Sequence, residues 1–247
     1  MTTRRFFFAL LGCAGLLATW EILGRYRVLG STFPTLTEVL RVYANGPKRS
    51  LLLRSAAATL RSATIGYGAG ACAGALTAIL AHLVPVLRRG LDRMAVLVNA
   101  LPVIALGPVL IITAGRRNTP AALAAVPVFF LLYVSAGIGL RAASRQLGML
   151  FTTLGASRQQ RLLKLEAIAA LPALLNGMKI AAGSAMIGAI VGEWFGAPGG
   201  LGVVVLNSMQ NFQIPLLWAT VLVIAAVTIG SYGLLDLAER AARRRIG

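Results

Sequence analysis

The chain has 247 residues, of which 57% are hydrophobic and only 13% are charged, and its formal net charge is +17. Soluble domains carry about 25% charged residues, so this composition favours a membrane protein and argues against a soluble one. The basic excess could indicate nucleic-acid binding, but the Lys and Arg residues lie beside apolar runs and form no basic stripe interleaved with aromatics. We therefore expect no nucleic-acid partner.

Apolar runs long enough to cross a bilayer recur along the chain, since about 20 apolar residues span the hydrocarbon layer. Backbone groups cannot stay unpaired in lipid, so each run is predicted to be helical and the fold class to be an all-α polytopic membrane helical bundle. Residues 1–247 are interpreted as one transmembrane domain, with an N-terminal span and outer connection in 1–50 and the core spans in 51–247. About six spans are predicted, at 6–24, 56–84, 94–114, 120–140, 180–197 and 215–235.

The first span follows twin arginines in "TRRFFFALLGCAG", which resembles an export signal. Its apolar core is short, no A-x-A site follows and five more spans do, so we interpret it as an uncleaved anchor. Most basic residues outside the spans fall on the side of the N-terminus, which places both termini in the cytoplasm. On that side lie Arg4, Arg5, Arg88, Arg89, Arg93, Arg141, Arg145, Arg158, Arg161, Lys164, Arg240, Arg243, Arg244 and Arg245.

The second span contains "GYGAGACAG", in which Gly66, Gly70 and Gly74 recur every four residues. Small residues at this spacing form a flat helix face that another helix backbone can approach closely. The face either packs within one subunit or lines an interface with a second subunit, and the pattern favours internal packing.

No constellation of residues suited to catalysis occurs in the sequence. His82 is the only histidine, and Cys13 and Cys72 lie within apolar spans, so no His/Cys metal site can be assembled. A GxxxxGK[ST] phosphate loop is absent, so the chain is not expected to hydrolyse a nucleotide. We expect a protein that is not an enzyme and that binds no metal or cofactor.

The longest predicted cytoplasmic segment is 141–177, between the fourth and fifth spans. Within it, "LGASRQQRLLKL" predicts a short basic helix, with Ser157 as its N-cap after Gly155 and with Pro172 preventing its continuation. Such a helix either lies on anionic lipid headgroups or docks into a groove on a soluble partner.

The same stretch resembles the cytoplasmic signature loop of ABC importer permeases, in the group that includes sulfonate, taurine, nitrate and thiamine-precursor systems. The family pattern is Glu-Ala-Ala, three residues, Gly, nine residues and Ile-x-Leu-Pro, often with a second Leu-Pro. Residues 154–165 match it with Gly155 at the glycine position, and "AALPALLNGMKIA" matches the second Leu-Pro. Four further stretches resemble the family in the same order: "FPTLTEVL", "LPVIALGPVLII", "GEWFGAPGGLG" and "LLDLAERAARRR".

The chain departs from this pattern within the signature itself. Met149, Leu150 and Phe151 stand in place of Glu-Ala-Ala, and Ala167 and Ile168 in place of the first Leu-Pro. The missing glutamate belongs to the surface that the ATPase engages in the family. The alternative interpretation is therefore a permease-derived membrane interaction or scaffold protein that is no longer coupled to an ATPase.

The resemblance implies a type I ABC importer permease of the inner membrane, with ATP bound on a partner ATPase subunit. A substrate-binding protein and a second permease subunit, identical or different, complete the implied assembly, and the solute could be an anion or a neutral heterocycle. Glu193 is a candidate for the translocation path or gate, or else a solvated residue at the outer interface. The implied ATPase-coupling residues are Gly155, Ala156, Ser157, Arg158, Arg161, Lys164, Leu165 and Pro172.

Overall fold

The computed structural model describes the backbone of residues 2–28 and 30–246, and their side chains except those of 2–6, 9, 10 and 242–246. The side chains of Arg4, Arg5 and residues 243–245, counted above as cytoplasmic charges, therefore lie outside the described residues. The described backbone contains helices and turns and no strand, which confirms the all-α fold class. The helices are α1 (Thr2–Arg25), α2 (Leu36–Ala44), α3 (Gly46–Leu83), α4 (Pro85–Ala100), a 3₁₀ turn (Val103–Leu106), α5 (Gly107–Ala114), α6 (Thr119–Arg141), α7 (Arg145–Thr153), α8 (Arg158–Arg161), a π-helical turn (Leu162–Glu166), α9 (Ala167–Glu193), α10 (Leu201–Gln210) and α11 (Ile214–Ile246).

Four of the described helices are long and apolar enough to cross a membrane. They are α3, α6, α11 and the continuous helical run formed by α8, the π-helical turn and α9. The bent pair formed by α4 and the segment 103–114 adds up to a fifth span. The first predicted span, 6–24, corresponds to α1, several of whose side chains lie outside the described residues.

The span predicted at 94–114 is not one continuous helix. The chain bends by 92° between α4 and the segment 103–114. Pro102 explains the break, because the residue before a proline is driven out of the helical region. Leu101 accordingly has φ −69° and ψ 128°.

Helix α6 lies at the centre of the bundle, between α3 and α9, and small residues make both contacts. A Cβ atom added to Gly66, Gly70 or Gly74 would fall 2.2–2.4 Å from a backbone carbonyl oxygen of α6. A Cβ atom on Gly188 of α9 would likewise fall 2.6 Å from the carbonyl oxygen of Leu123 of α6. The glycine face therefore packs inside this chain. The enclosed core consists of Ala63, Ala124, Val128, Leu132, Ala181, Ala185, Met186 and Ala189.

A second layer covers the end of the bundle where α9 ends. There α2, α10 and α11 pack on α3 around the buried side chains of Val39, Leu52 and Leu201. Trp20 of α1 joins this layer through its ring contact with Trp218, with centroids 5.2 Å apart. The layer fixes the position of α10 relative to the end of α9.

The helix that contains the fifth predicted span begins much earlier than residue 180. A continuous helical run of 36 residues extends from Arg158 to Glu193, and Pro172 lies inside it. The prediction that Pro172 would stop the preceding helix is therefore wrong. Close packing of Ala170 on Gly139 of α6 supports the helix beside the proline, and membrane bundles tolerate proline where neighbouring helices do so.

Candidate functional site

Residues 145–166, called the elbow below, connect α6 to α9 at the end of the bundle where α3 also ends. Gly155 turns the chain between α7 and α8 with φ +71°, a left-handed conformation that glycine adopts without steric cost. Ser157 caps α8, because its side chain accepts a hydrogen bond from the backbone of Gln160 and its own N–H donates to the Gln160 side chain. The turn and the cap lie where the sequence predicts them.

A buried carboxylate joins the elbow to α3. Glu166 is 8% exposed, and its Oε2 lies 2.7 Å from Nε2 of His82, in the last turn of α3. Its Oε1 accepts a hydrogen bond from Nε of Arg161 at 2.9 Å. Arg158 donates from Nη2 to the backbone oxygen of His82 at 3.4 Å. These four residues are called the Glu166 junction below.

The sequence assigns the basic residues of the elbow to one docking surface, but the Glu166 junction engages two of them within the chain. Arg158 and Arg161 contact His82 and Glu166, whereas Lys164 is exposed. The neighbouring Ala156 and Leu165 are half-buried. The elbow therefore presents fewer free cations than the sequence alone predicts, and His82, which no local pattern singles out, becomes part of the site.

One face of α7 carries exposed apolar side chains. Leu147 is 46% exposed and Leu150 is 50% exposed, and Leu154, directly after the helix, is 74% exposed on the same face. Met149 is 56% exposed but lies on the other side of α7, where it lines the cavity between the elbow and the bundle. Phe151 is half-buried. The residues that replace Glu-Ala-Ala thus lie on a helix whose apolar side chains remain largely uncovered within this chain.

A cavity of about 630 Å³ separates the elbow from the ends of α3 and α6. The elbow is therefore held to the bundle by specific side-chain contacts and is not packed against it over its whole surface. The cavity is lined by His82, Leu140, Arg141, Ala143, Ser144, Arg145, Gly148, Met149, Thr152, Thr153, Arg161, Leu165 and Glu166.

Glu193 lies at the other end of α9 and is 1% exposed, so it is not a solvated interfacial residue. Its Oε2 accepts a hydrogen bond of 2.7 Å from the backbone N–H of Gly202, in the first turn of α10. A Cβ atom on Gly200 would fall 2.1 Å from the carboxylate carbon, so only glycine leaves room for this contact. Thr59 of α3 accepts from the N–H of Leu201 at 2.8 Å. Glu193 therefore ties α9 to α10, and Thr59 ties the start of α10 to α3.

A group of opposite charges links α9 to α11. Lys179 contacts Asp236 at 3.2 Å and also pairs with the carboxylate of Glu239. Arg240 lies 2.7 Å from Asp236, four residues earlier on the same helix. The four-residue spacing accounts for the pair within α11, because residues four apart share a helix face, whereas no sequence pattern relates Lys179 to it.

Comparisons with known proteins agree with this architecture. A family model described as "Binding-protein-dependent transport system inner membrane component" matches residues 70–246. The chain is 30% identical over 215 residues to the formylaminopyrimidine transport permease protein ThiX of Halalkalibacterium halodurans, covering 87% of this chain and 86% of that protein. It is 25% identical over 216 residues to the putative aliphatic sulfonates transport permease protein SsuC of Bacillus subtilis, covering 87% of this chain and 78% of that protein.

A solved structure of the MetNI methionine ABC transporter, in an inward-facing conformation, matches with a TM-score of 0.68 at 18% identity. The match covers 82% of this chain and 99% of that chain, so the two share a fold. With the spanning helices, these findings confirm the type I importer permease fold and a multi-pass location in the inner membrane. The chain belongs to the family of inner membrane components of binding-protein-dependent transport systems, as the permease subunit of an ABC importer.

Proposed function

We propose that the elbow lies in the cytoplasm and binds a separate ATPase chain, while a substrate-binding protein delivers the solute at the Glu193 end of the bundle. Both termini then lie in the cytoplasm, as the distribution of Lys and Arg outside the spans favours. ATP is bound and hydrolysed on the partner chain, and this chain binds no cofactor. A second permease subunit, identical or different, completes the translocation path between the two subunits.

The observation that carries this proposal is the exposed apolar surface of α7. Leu147 and Leu150 on one face of α7, and Leu154 directly after it, are exposed beside exposed basic residues. Contiguous apolar side chains rimmed by polar ones are typical of a protein-binding surface. A short helix with one apolar face is also suited to insertion into a groove on a partner.

The continuous helical run that ends at Glu193 supports transmission of motion across the bundle. Its 36 residues correspond to about 54 Å at 1.5 Å per residue. Closure of the ATPase subunits would displace the elbow, and α9 would carry the displacement to the contact between Glu193 and α10. The bundle thereby alternates between two arrangements, one open to each side of the membrane.

For the solute, we favour an uncharged small molecule over an anion. A cavity of about 350 Å³ between α3, α9 and α11 has apolar walls and the hydroxyl-bearing residues Thr64, Tyr67 and Ser231, with no charged residue among its described lining. Ligand sites of this size recognise apolar rings with a few polar groups. Uptake into proteoliposomes that is competed by a pyrimidine and not by an alkyl sulfonate would support this preference; the reverse would contradict it.

The alternative function is a membrane scaffold without an ATPase, favoured by the absence of an acid at residues 149–151. Purification of the tagged chain in mild detergent from its own host distinguishes the two. The importer predicts recovery of a chain that contains a GxxxxGK[ST] loop and whose ATP hydrolysis depends on the permease. Failure to recover such a chain with the wild-type permease would favour the scaffold.

A charge placed on α7 tests where the ATPase binds. Leu150→Arg should weaken the association at least about tenfold, because a central apolar contact is replaced by a charge that the partner must desolvate. Leu40→Arg is the matched control, since Leu40 is 53% exposed on α2 at the other end of the bundle. Equal ATPase recovery with Leu150→Arg and Leu40→Arg would contradict binding through α7.

A further inference from the structure

We infer that Glu166 is a positioning residue that couples the elbow to α3, so that movement of the elbow is delivered to the bundle at two points. The inference rests on the function proposed above. The chain itself supplies one connection, through the helical run into α9. The Glu166 junction supplies the other, through His82 at the end of α3.

The junction is built to hold a defined geometry. Glu166 is 8% exposed, and both of its carboxylate oxygens are engaged, one by α3 and one by Arg161 of the elbow. Arg158 adds a third contact, to the backbone oxygen of His82. A buried carboxylate with partners on two elements fixes their relative position, since any separation leaves it buried and unpaired.

The backbone around Glu166 departs from an α-helix. Residues 162–166 form a π-helical turn, which adds one residue to the turn and changes the direction of the side chains that follow. Such turns occur frequently at functional sites. Here the turn ends at the residue that contacts both α3 and α8.

The end of α3 is well placed to pass on a displacement. The glycine face of α3 brings its backbone against α6 along three successive turns, and α6 in turn packs on α9 through Gly139 and Gly188. These contacts allow little sliding, because each glycine lies directly against backbone or Cβ atoms. By contrast, a cavity of about 630 Å³ lies beside the elbow, so the junction is a localised contact and not part of a continuous packed interface.

The test is the coupling ratio of the assembled transporter in nanodiscs. This ratio is the ATP hydrolysis rate with loaded binding protein divided by the rate without it. Glu166→Ala and His82→Ala should each lower the ratio at least about fivefold, within the usual range of energetic coupling between sites, while the ATPase still copurifies. The double variant should lower it no further, because the two side chains act through one contact. Glu166→Gln, which keeps the shape and one acceptor, should give an intermediate ratio.

Asp92→Asn is the matched control. Asp92 is a carboxylate at the same end of the bundle, but it accepts from Tyr133 of α6 at 2.5 Å and pairs with Arg88 of its own helix. The Asp92→Asn variant should have a coupling ratio within about twofold of wild type. A purely structural role for Glu166 would lower the yield or thermal midpoint of the variant and leave the ratio unchanged.

The outcomes separate the inference from the function on which it rests. Wild-type ratios in Glu166→Ala and His82→Ala, with ATPase bound, would overturn the inference alone. Absence of an ATPase from the wild-type preparation would overturn both. If Glu166→Ala is not recovered from the membrane, the coupling ratio of His82→Ala alone tests the inference. The His82 side chain is 23% exposed, so its removal disturbs the fold less.

Discussion

Replacement of Gly70 by alanine tests the close packing of α3 on α6. The added Cβ atom would lie 2.4 Å from the carbonyl oxygen of Ala125 and 2.9 Å from the Cβ atom of Val128. Ordinary van der Waals contact begins at 3.4 Å, so the two helices would have to separate by about 1 Å. That separation would also loosen the contacts of Gly66 and Gly74 on the same face.

The expected loss of stability can be estimated from two opposing effects. Overpacking of a tight interface costs about 1–3 kcal/mol. Alanine in a helix gains up to about 1 kcal/mol over glycine. Gly70→Ala should therefore lower the free energy of unfolding by up to about 2 kcal/mol relative to wild type, and by about 1–3 kcal/mol relative to an alanine that only gains helix propensity. The measurement is tryptophan fluorescence during unfolding in mixed micelles.

Gly68→Ala provides the control on the same helix. A Cβ atom on Gly68 would meet nothing within 4 Å, so only the gain in helix propensity remains. This variant should be as stable as wild type, or more stable by up to about 1 kcal/mol. Equal stability of Gly70→Ala and Gly68→Ala would refute close packing of the glycine face within the chain and would favour an interface with a second subunit.

Three further changes should produce measurable effects. Glu193→Ala leaves the buried N–H of Gly202 without its acceptor and should lower the free energy of unfolding by about 1–3 kcal/mol. Glu193→Gln should cause a smaller loss. Unchanged stability of Glu193→Ala would contradict the contact. Lys179→Met removes the cation that links α9 to Asp236 and Glu239 of α11 and should lower the thermal midpoint more than Lys179→Arg. A higher midpoint would show that this link does not support the fold. Gly155→Ala imposes φ +71° on a residue with a Cβ atom, at a cost of about 1 kcal/mol. Backbone amides of the turn should therefore exchange their hydrogens with solvent about fivefold faster. An unchanged exchange rate would count against the left-handed turn.

The spanning helices could be predicted because the bilayer imposes both length and hydrogen bonding on each apolar run. The predicted span at 120–140 agrees with α6, Thr119–Arg141, to within one residue at each end. The glycine face could likewise be found, since its four-residue spacing is a direct consequence of helix geometry. These features depend on neighbours in sequence.

The Glu166 junction could not be found in this way, because its partners are far apart along the chain. His82 and Glu166 are separated by 84 residues, and no local pattern relates a single histidine to an acid. The available signal was an acid at the end of an otherwise basic segment. The contact between Lys179 and Asp236, which are 57 residues apart, could not be predicted for the same reason.

The bend after α4 was missed although its signal is present in the sequence. Apolar composition is continuous over 94–114, and a hydropathy argument does not register a change of direction. Pro102 and Pro108 each remove a backbone donor, and Pro102 also forces the preceding residue out of the helix. Proline spacing within an apolar run therefore carries information that its hydropathy does not.

The claim that the elbow receives the force of ATP hydrolysis is tested most directly by photocrosslinking in the assembled transporter. A benzophenone amino acid placed at Leu150 of α7 should crosslink to the ATP-hydrolysing chain, and the same probe at Leu40 of α2 should not. Crosslinks to that chain from position 40 and none from position 150 would place the ATPase at the wrong end of the bundle and contradict the proposed function.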